Sequence, residues 1–144
     1  MKAFATLSAI IFALLLTPKA KADIKSLSQA EFEQLTTTKA DTVVLDVRSN
    51  EEYANGYIKS AINIPHTDIE KILAAINKED TIVIYCRSGR RANIVATMLE
   101  EKGYSNVHTL DGDIKGWIAS GKPLEGVQKE KTSAAGKTAK ELQN

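Results

Sequence analysis

The sequence predicts an α/β fold with a mainly parallel central sheet covered by helices on both faces. Two observations carry that expectation. Runs with the length and composition of strands alternate with segments that open on helix-start signals, and the connections between them are short. Parallel neighbours need a crossover between them, and an intervening helix supplies it.

The strands come first. Residues 42–47 (TVVLDV), 81–85 (TIVIY) and 107–110 (VHTL) are apolar or β-branched and of strand length. Residues 62–64 (INI) form a shorter candidate that Pro65 stops. The helices between them begin at Ser or Thr followed three residues later by Glu, at Ser28/Glu31, Ser49/Glu52 and Thr67/Glu70. In that capping box the two side chains satisfy each other's free backbone N–H groups. Residues 90–102 place Ile94, Val95, Met98 and Leu99 at helical spacing, and Gly103 follows as a C-terminal stop. The 144 residues are a one-domain length, and the roughly 100 from 23 to 124 are enough for one such core.

Both flanks differ from this domain. Residues 1–22 begin with Lys2 and continue with an uncharged apolar run from Ala3 to Leu16. Pro18 then breaks the run, and Ala20-Lys21-Ala22 supplies small residues two apart. The run is shorter than the ~20 residues of a membrane span, and the series is that of a secretory signal peptide. The expectation is cleavage after Ala22, a mature chain starting at Asp23 in the periplasm, and no lasting membrane insertion. From residue 125 to 144 there is one Val and one Leu among lysines and small polar residues. Such a segment cannot bury a core and is expected to be a disordered tail, with folding on a partner as the alternative.

Charge excludes little beyond nucleic acid. The whole chain has 19 basic and 18 acidic residues, a net of +1. Loss of residues 1–22 removes Lys2, Lys19 and Lys21 and no acid, which leaves 16 basic residues and a net of −2. No basic stripe points to a nucleic-acid partner. Neither His66 nor His108 has ligand-like spacing with the one cysteine, so no metal or cofactor is expected, and the chain is expected to be a monomer.

That cysteine, Cys86, ends the strand run TIVIY and is followed by Arg87, Ser88, Gly89, Arg90 and Arg91. An exported chain with one thiol cannot close an internal disulfide, so the thiol pairs between molecules, is packed and inert, or is reactive. Ligands of parallel sheets bind beyond the carboxyl ends of the strands. Gly89 permits a tight strand-to-helix loop whose N–H groups converge as an anion nest, and the following helix adds partial positive charge. With three arginines in five positions, Cys86 is expected to stand as a thiolate nucleophile in a cradle for an anion. The alternative is a cysteine packed as a small hydrophobe.

Three stretches, in order, resemble one family. VVLDVRSNEEYANGYIKSAINIP (43–65) is similar to the D-V-R, E-[FY], G-H-I and G-A-x-N-I-P series of the single-domain rhodaneses, which are sulfurtransferases. IVIYCRSGRRA (82–92) matches their loop C-x-x-G-x-R, and LDGDIKGW (110–117) resembles their closing L-x-G-G-x-x-x-W. The likeness runs from about residue 24 to 123 and implies a rhodanese-like sheet of about five strands.

It also implies a mechanism. Cys86 takes the outer sulfur of thiosulfate, sulfite leaves, and the persulfide passes its sulfur to a thiophilic acceptor such as cyanide or a thiol. The N–H groups from Arg87 to Arg91, with Ser88 and Gly89 between, hold the persulfide, and Arg87, Arg90 or Arg91 pairs with the sulfonate. Asp46 and Arg48, of the D-V-R, take a supporting structural role, with Arg48 able to reach Glu52. Trp117 anchors the core. Tyr57, Ser60 and Asp113 replace the family's His, Gly and Gly, and none is expected to touch the loop. Two rivals stand beside this reading. A phosphatase or arsenate reductase of the same fold uses C-x(5)-R, whereas Cys86 to Arg91 is C-x(4)-R, a ring suited to one sulfur atom. A sulfur-carrier module needs the same thiolate but no free turnover.

Overall fold

The computed structural model describes residues 24–127. The leader expected at 1–22 and the part of the tail from 128 onward lie outside the described residues.

Thr81–Tyr85 reads TIVIY because all five residues are covered. Successive side chains of a strand face opposite ways. Ile82 and Ile84 therefore join one core, with Ile72, Val95 and Leu99, while Val83 and Tyr85 join a second, with Phe32, Ile58 and Trp117. A strand buried on both faces is the signature of a parallel sheet between two helical layers. The element order is β1 (Lys25–Leu27), α1 (Gln29–Thr38), β2 (Thr42–Asp46), α2 (Asn50–Ala54), β3 (Ala61–Asn63), α3 (Ile69–Ala75), β4 (Thr81–Tyr85), α4 (Arg90–Glu101), β5 (Val107–Leu110) and α5 (Asp113–Ala119). The five strands lie in the order β1-β5-β4-β2-β3, and every pairing is parallel. Buried residues of α3 and α4 pack on one face, and those of α1 and α5 on the other.

The helix starts at Ser28 and Ser49 are closed capping boxes with Glu31 and Glu52. The third, Thr67/Glu70, is not formed. Asp68 N–H donates to Pro65 O at 2.8 Å, and this turn makes Asp68 the cap residue. Glu70 then stands second in the helix, where it cannot reach back, and the Asp68 carboxylate pairs with Lys71 at 2.9 Å. The buried stripe of α4 is also displaced from the expected one. It is Ala92, Val95, Ala96 and Leu99, while Ile94 points outward and is 50% exposed. The two alanines bring the helix close to the sheet, and that contact selects the stripe.

The edge strands account for the remaining differences. β3 covers 61–63 rather than 62–64, in register with Val44, Leu45 and Asp46, so Ile62 faces outward from the edge. β1 has only three residues and no run of its own to announce it. Pairing with His108, Thr109 and Leu110 of β5 creates it.

Candidate functional site

Parallel strands deliver their carboxyl ends to one edge, and Cys86 arrives there from β4, in the middle of the sheet. It is 2% exposed and free. The chain then turns through Arg87, Ser88 and Gly89 into α4. Gly89 adopts φ +93°, and its N–H donates to Cys86 Sγ at 3.2 Å. A left-handed conformation is open to glycine at little cost. A Cβ there would also lie 3.2 Å from Asp113 Oδ2. No side chain caps α4, a helix of 12 residues, so its first N–H groups and its partial positive charge face the loop.

The three arginines separate by role in the fold. Arg87 and Arg90 are exposed, as is Ser88. Arg91 is half-buried and forms a two-pronged pair with Glu52 of α2, Nη1 to Oε2 at 2.6 Å and Nη2 to Oε1 at 2.9 Å. Glu52 is thus committed to Arg91 and does not take Arg48. Arg48 instead turns back on Asp46, with Nε 2.9 and 3.0 Å from the two carboxylate oxygens, and donates through Nη2 to Gly56 O at 2.8 Å. Asp46 is fully buried and Arg48 is 5% exposed. Asn63 Nδ2 closes the same corner by donating to Asp46 O and Arg48 O.

The Arg91 guanidinium, aided by the Ser49 amide and opposed by burial, holds Glu52 at about 2, below an ordinary 4.5. A carboxyl depressed in the folded state stabilises it fully above pH 4.5, and the contribution is lost as pH falls toward 2. The two side chains are 24% and 31% exposed, so screening limits the contribution to about 1 kcal/mol. Glu52→Gln should lose that amount at neutral pH. Its stability in urea titrations should also fall less steeply than the wild type's between about pH 5 and pH 2; equal slopes would show that the pair contributes nothing.

Asp113 corrects the sequence reading directly. It was expected to stay clear of the loop, yet its Oδ1 accepts the Cys86 backbone N–H at 2.7 Å. It opens α5 with φ +51° and is 6% exposed. The family glycine at this position supplied a signal, since a carboxylate replaced a residue chosen for backbone freedom. Ser60 likewise holds a positive φ, at +67°. Tyr57, the third departure, stacks on Tyr53 at 4.0 Å and exchanges backbone hydrogen bonds with Glu125. Trp117 is core, meeting Phe32 edge-on at 5.6 Å and donating to Pro123 O.

Among the described residues no group of three or more His, Cys, Asp or Glu could hold a metal ion, and no helix is long and apolar enough to cross a membrane. His66 and His108 lie apart from any such group.

A single-domain α/β protein with one thiol in a glycine-turned loop beyond the middle strand matches a known family. The model of the rhodanese-like domain covers residues 28–120, and the chain belongs to that family. A sulfurtransferase of Allochromatium vinosum is 36% identical over 102 residues, 71% of this chain and 91% of that protein. The thiosulfate sulfurtransferase PspE of Escherichia coli is 37% identical over 70 residues, 47% of this chain and 67% of that one. Among solved structures, the human single-domain sulfurtransferase TSTD1 superposes with a TM-score of 0.60 at 28% identity, covering 65% of this chain and 95% of that one. These relatives support sulfur transfer as the general chemistry of the chain.

Proposed function

We propose that the protein is a thiosulfate sulfurtransferase, acting through a persulfide on Cys86 and exported to the periplasm with residues 1–22 removed. The observation that carries the mechanism is the Gly89 N–H directed at Cys86 Sγ at 3.2 Å in a loop that begins α4. The name of the Escherichia coli relative supports thiosulfate as donor. In the first half-reaction the Cys86 thiolate attacks the outer sulfur of thiosulfate. The donor's S–S bond breaks, and its electron pair leaves with sulfite. In the second, cyanide or a thiol attacks the outer sulfur of the persulfide, and the thiolate returns. Loop N–H groups and the α4 terminus stabilise the anionic sulfur at both stages. Arg91, held in place by Glu52, and the exposed Arg87 and Arg90 supply positive charge for the sulfonate. Asp46 and Arg48 support the loop from the neighbouring strand end.

Intact-mass measurement tests both parts of the proposal in one spectrum. Protein isolated after expression from the full gene and treated with thiosulfate should start at Asp23 and carry one added sulfur atom. The extra mass should disappear with cyanide. A chain that retains Met1 overturns export, and the absence of any sulfur adduct overturns the persulfide route.

A further inference from the structure

Two residues other than glycine hold a positive φ among the described residues, Ser60 at +67° and Asp113 at +51°. Such a backbone costs an L residue free energy, and it persists where the surroundings impose it. Ser60 is exposed in the turn before β3. Asp113 is 6% exposed and follows Gly112, itself at +75°, so the chain enters α5 through two left-handed residues in a row. Its carboxylate forms no ion pair among the described residues. What offsets both the strain and the burial is the contact its side chain makes.

That contact is with the backbone of the Cys86 loop. Oδ1 accepts the Cys86 N–H at 2.7 Å, and Oδ2 would lie 3.2 Å from a Cβ at Gly89, the residue whose N–H points at Sγ. The backbone of α5 adds two bonds, Ile114 N–H to Cys86 O at 3.2 Å and Lys115 N–H to Arg87 O at 3.4 Å. Both polar groups of the Cys86 main chain are thus held from the start of α5. The sheet does not hold them. The last registered pairs on β4 are Ile84 with Thr109 and Tyr85 with Asp46, so Cys86 lies one residue past the ladder. The α5 start takes over the restraint where the ladder stops.

We propose that Asp113 is a positioning residue for the nucleophile: its side-chain oxygen fixes the Cys86 peptide so that Sγ stays against the Gly89 N–H. This rests on Cys86 being the nucleophile of sulfur transfer. Asp113 acts through the main chain and not on the sulfur. The bond also commits the Cys86 N–H, so the anionic sulfur is met by amides later in the loop, of which Gly89 is directed at it. A reacting atom displaced by about 1 Å can cost about a hundredfold in rate, so a peptide anchor beside the nucleophile has a large lever. The anchor needs an oxygen acceptor and no negative charge. An asparagine can therefore fill it, and a glycine cannot.

The test compares the wild type with Asp113→Gly and Asp113→Asn. Glycine suits φ +51° and restores the family residue, so it removes the oxygen without straining the backbone. Asparagine tolerates the same φ and presents an oxygen to the Cys86 N–H. The first readout is residue-resolved amide hydrogen exchange by NMR. In the Gly variant the Cys86 and Gly89 amides should exchange about tenfold or more faster, while Ile84 in β4 and Leu99 in α4 keep their rates. A general loss of stability would speed all four together. The second readout is steady-state transfer from thiosulfate to cyanide. In the Gly variant kcat should fall by about tenfold or more, with KM within about threefold. The Asn variant should bring both readouts back to within about threefold of the wild type. Unchanged Cys86 exchange or kcat in the Gly variant, a uniform rise across the four amides, or an Asn variant as impaired as the Gly variant overturns the proposal. Exchange needs no sulfur donor. A wild type that forms no persulfide would refute the sulfur-transfer reading, and the exchange rates would still decide whether Asp113 fixes the Cys86 peptide.

Discussion

Cys86→Ser is expected to fold like the wild type and to lose thiosulfate:cyanide sulfur transfer, by a factor of roughly a thousand or more. Two physical reasons combine. The serine hydroxyl is not ionised near neutral pH, and no other cysteine exists to take the sulfur. Sγ is buried and meets the Gly89 N–H. The hydroxyl can accept the same hydrogen bond, so the stability cost should stay near ~1 kcal/mol. Steady-state assay of both proteins with free thiosulfate and cyanide decides the matter. Residual turnover within about tenfold of wild type, a difference of only ~1.4 kcal/mol in activation free energy, would mean that Cys86 is not the carrier. Wild-type protein that forms the persulfide but does not turn over would be a carrier rather than an enzyme. Hydrolysis of aryl phosphates by the wild type, lost with the thiol, would instead favour the phosphatase chemistry of the longer loop.

The largest effect on stability is expected at Arg48. Its guanidinium meets a fully buried Asp46 in a fork and reaches the carbonyl of Gly56, so one side chain ties the end of β2 to the connection between α2 and β3. Arg48→Met fills similar volume but leaves the buried carboxylate without its cation. Breaking a buried pair from one side typically costs about 3–5 kcal/mol. For a domain of this size that corresponds to a fall in Tm of about 12–20 °C. Arg48→Lys should fall between the two, because an ammonium cannot make the forked contact. A melting curve for Arg48→Met within about 2 °C of wild type, a difference of ~0.5 kcal/mol, would show the pair to be dispensable.

The corner that Arg48 closes also marks where sequence reasoning stops. Local relations were legible. Two capping boxes are bonds between residues three apart, and the apolar, β-branched run TIVIY belongs to one segment, so both could be read without knowledge of the fold. The third box failed because Pro65 and the turn at Asp68 moved the helix start by one residue. The stripe of α4 was shifted because the sheet rewards close approach, through Ala92 and Ala96, over the larger Ile94. The arginine partners were misassigned for a related reason. Arg48 and Glu52 are near in sequence, but Glu52 is taken by Arg91, 39 residues away.

By itself, the sequence determined the alternation of strands and helices, the burial of β4 on both faces and the position of Cys86 at its carboxyl end. Each follows from periodicity, cap residues and one glycine within a few positions of each other. Tertiary structure alone decided what surrounds the thiol. The strand order β1-β5-β4-β2-β3 places β5 directly beside β4. The start of α5 therefore falls against the Cys86 loop, and Asp113 meets an amide 27 residues earlier. Contacts across that distance depend on which strands are neighbours, and no local period records the neighbour of a strand.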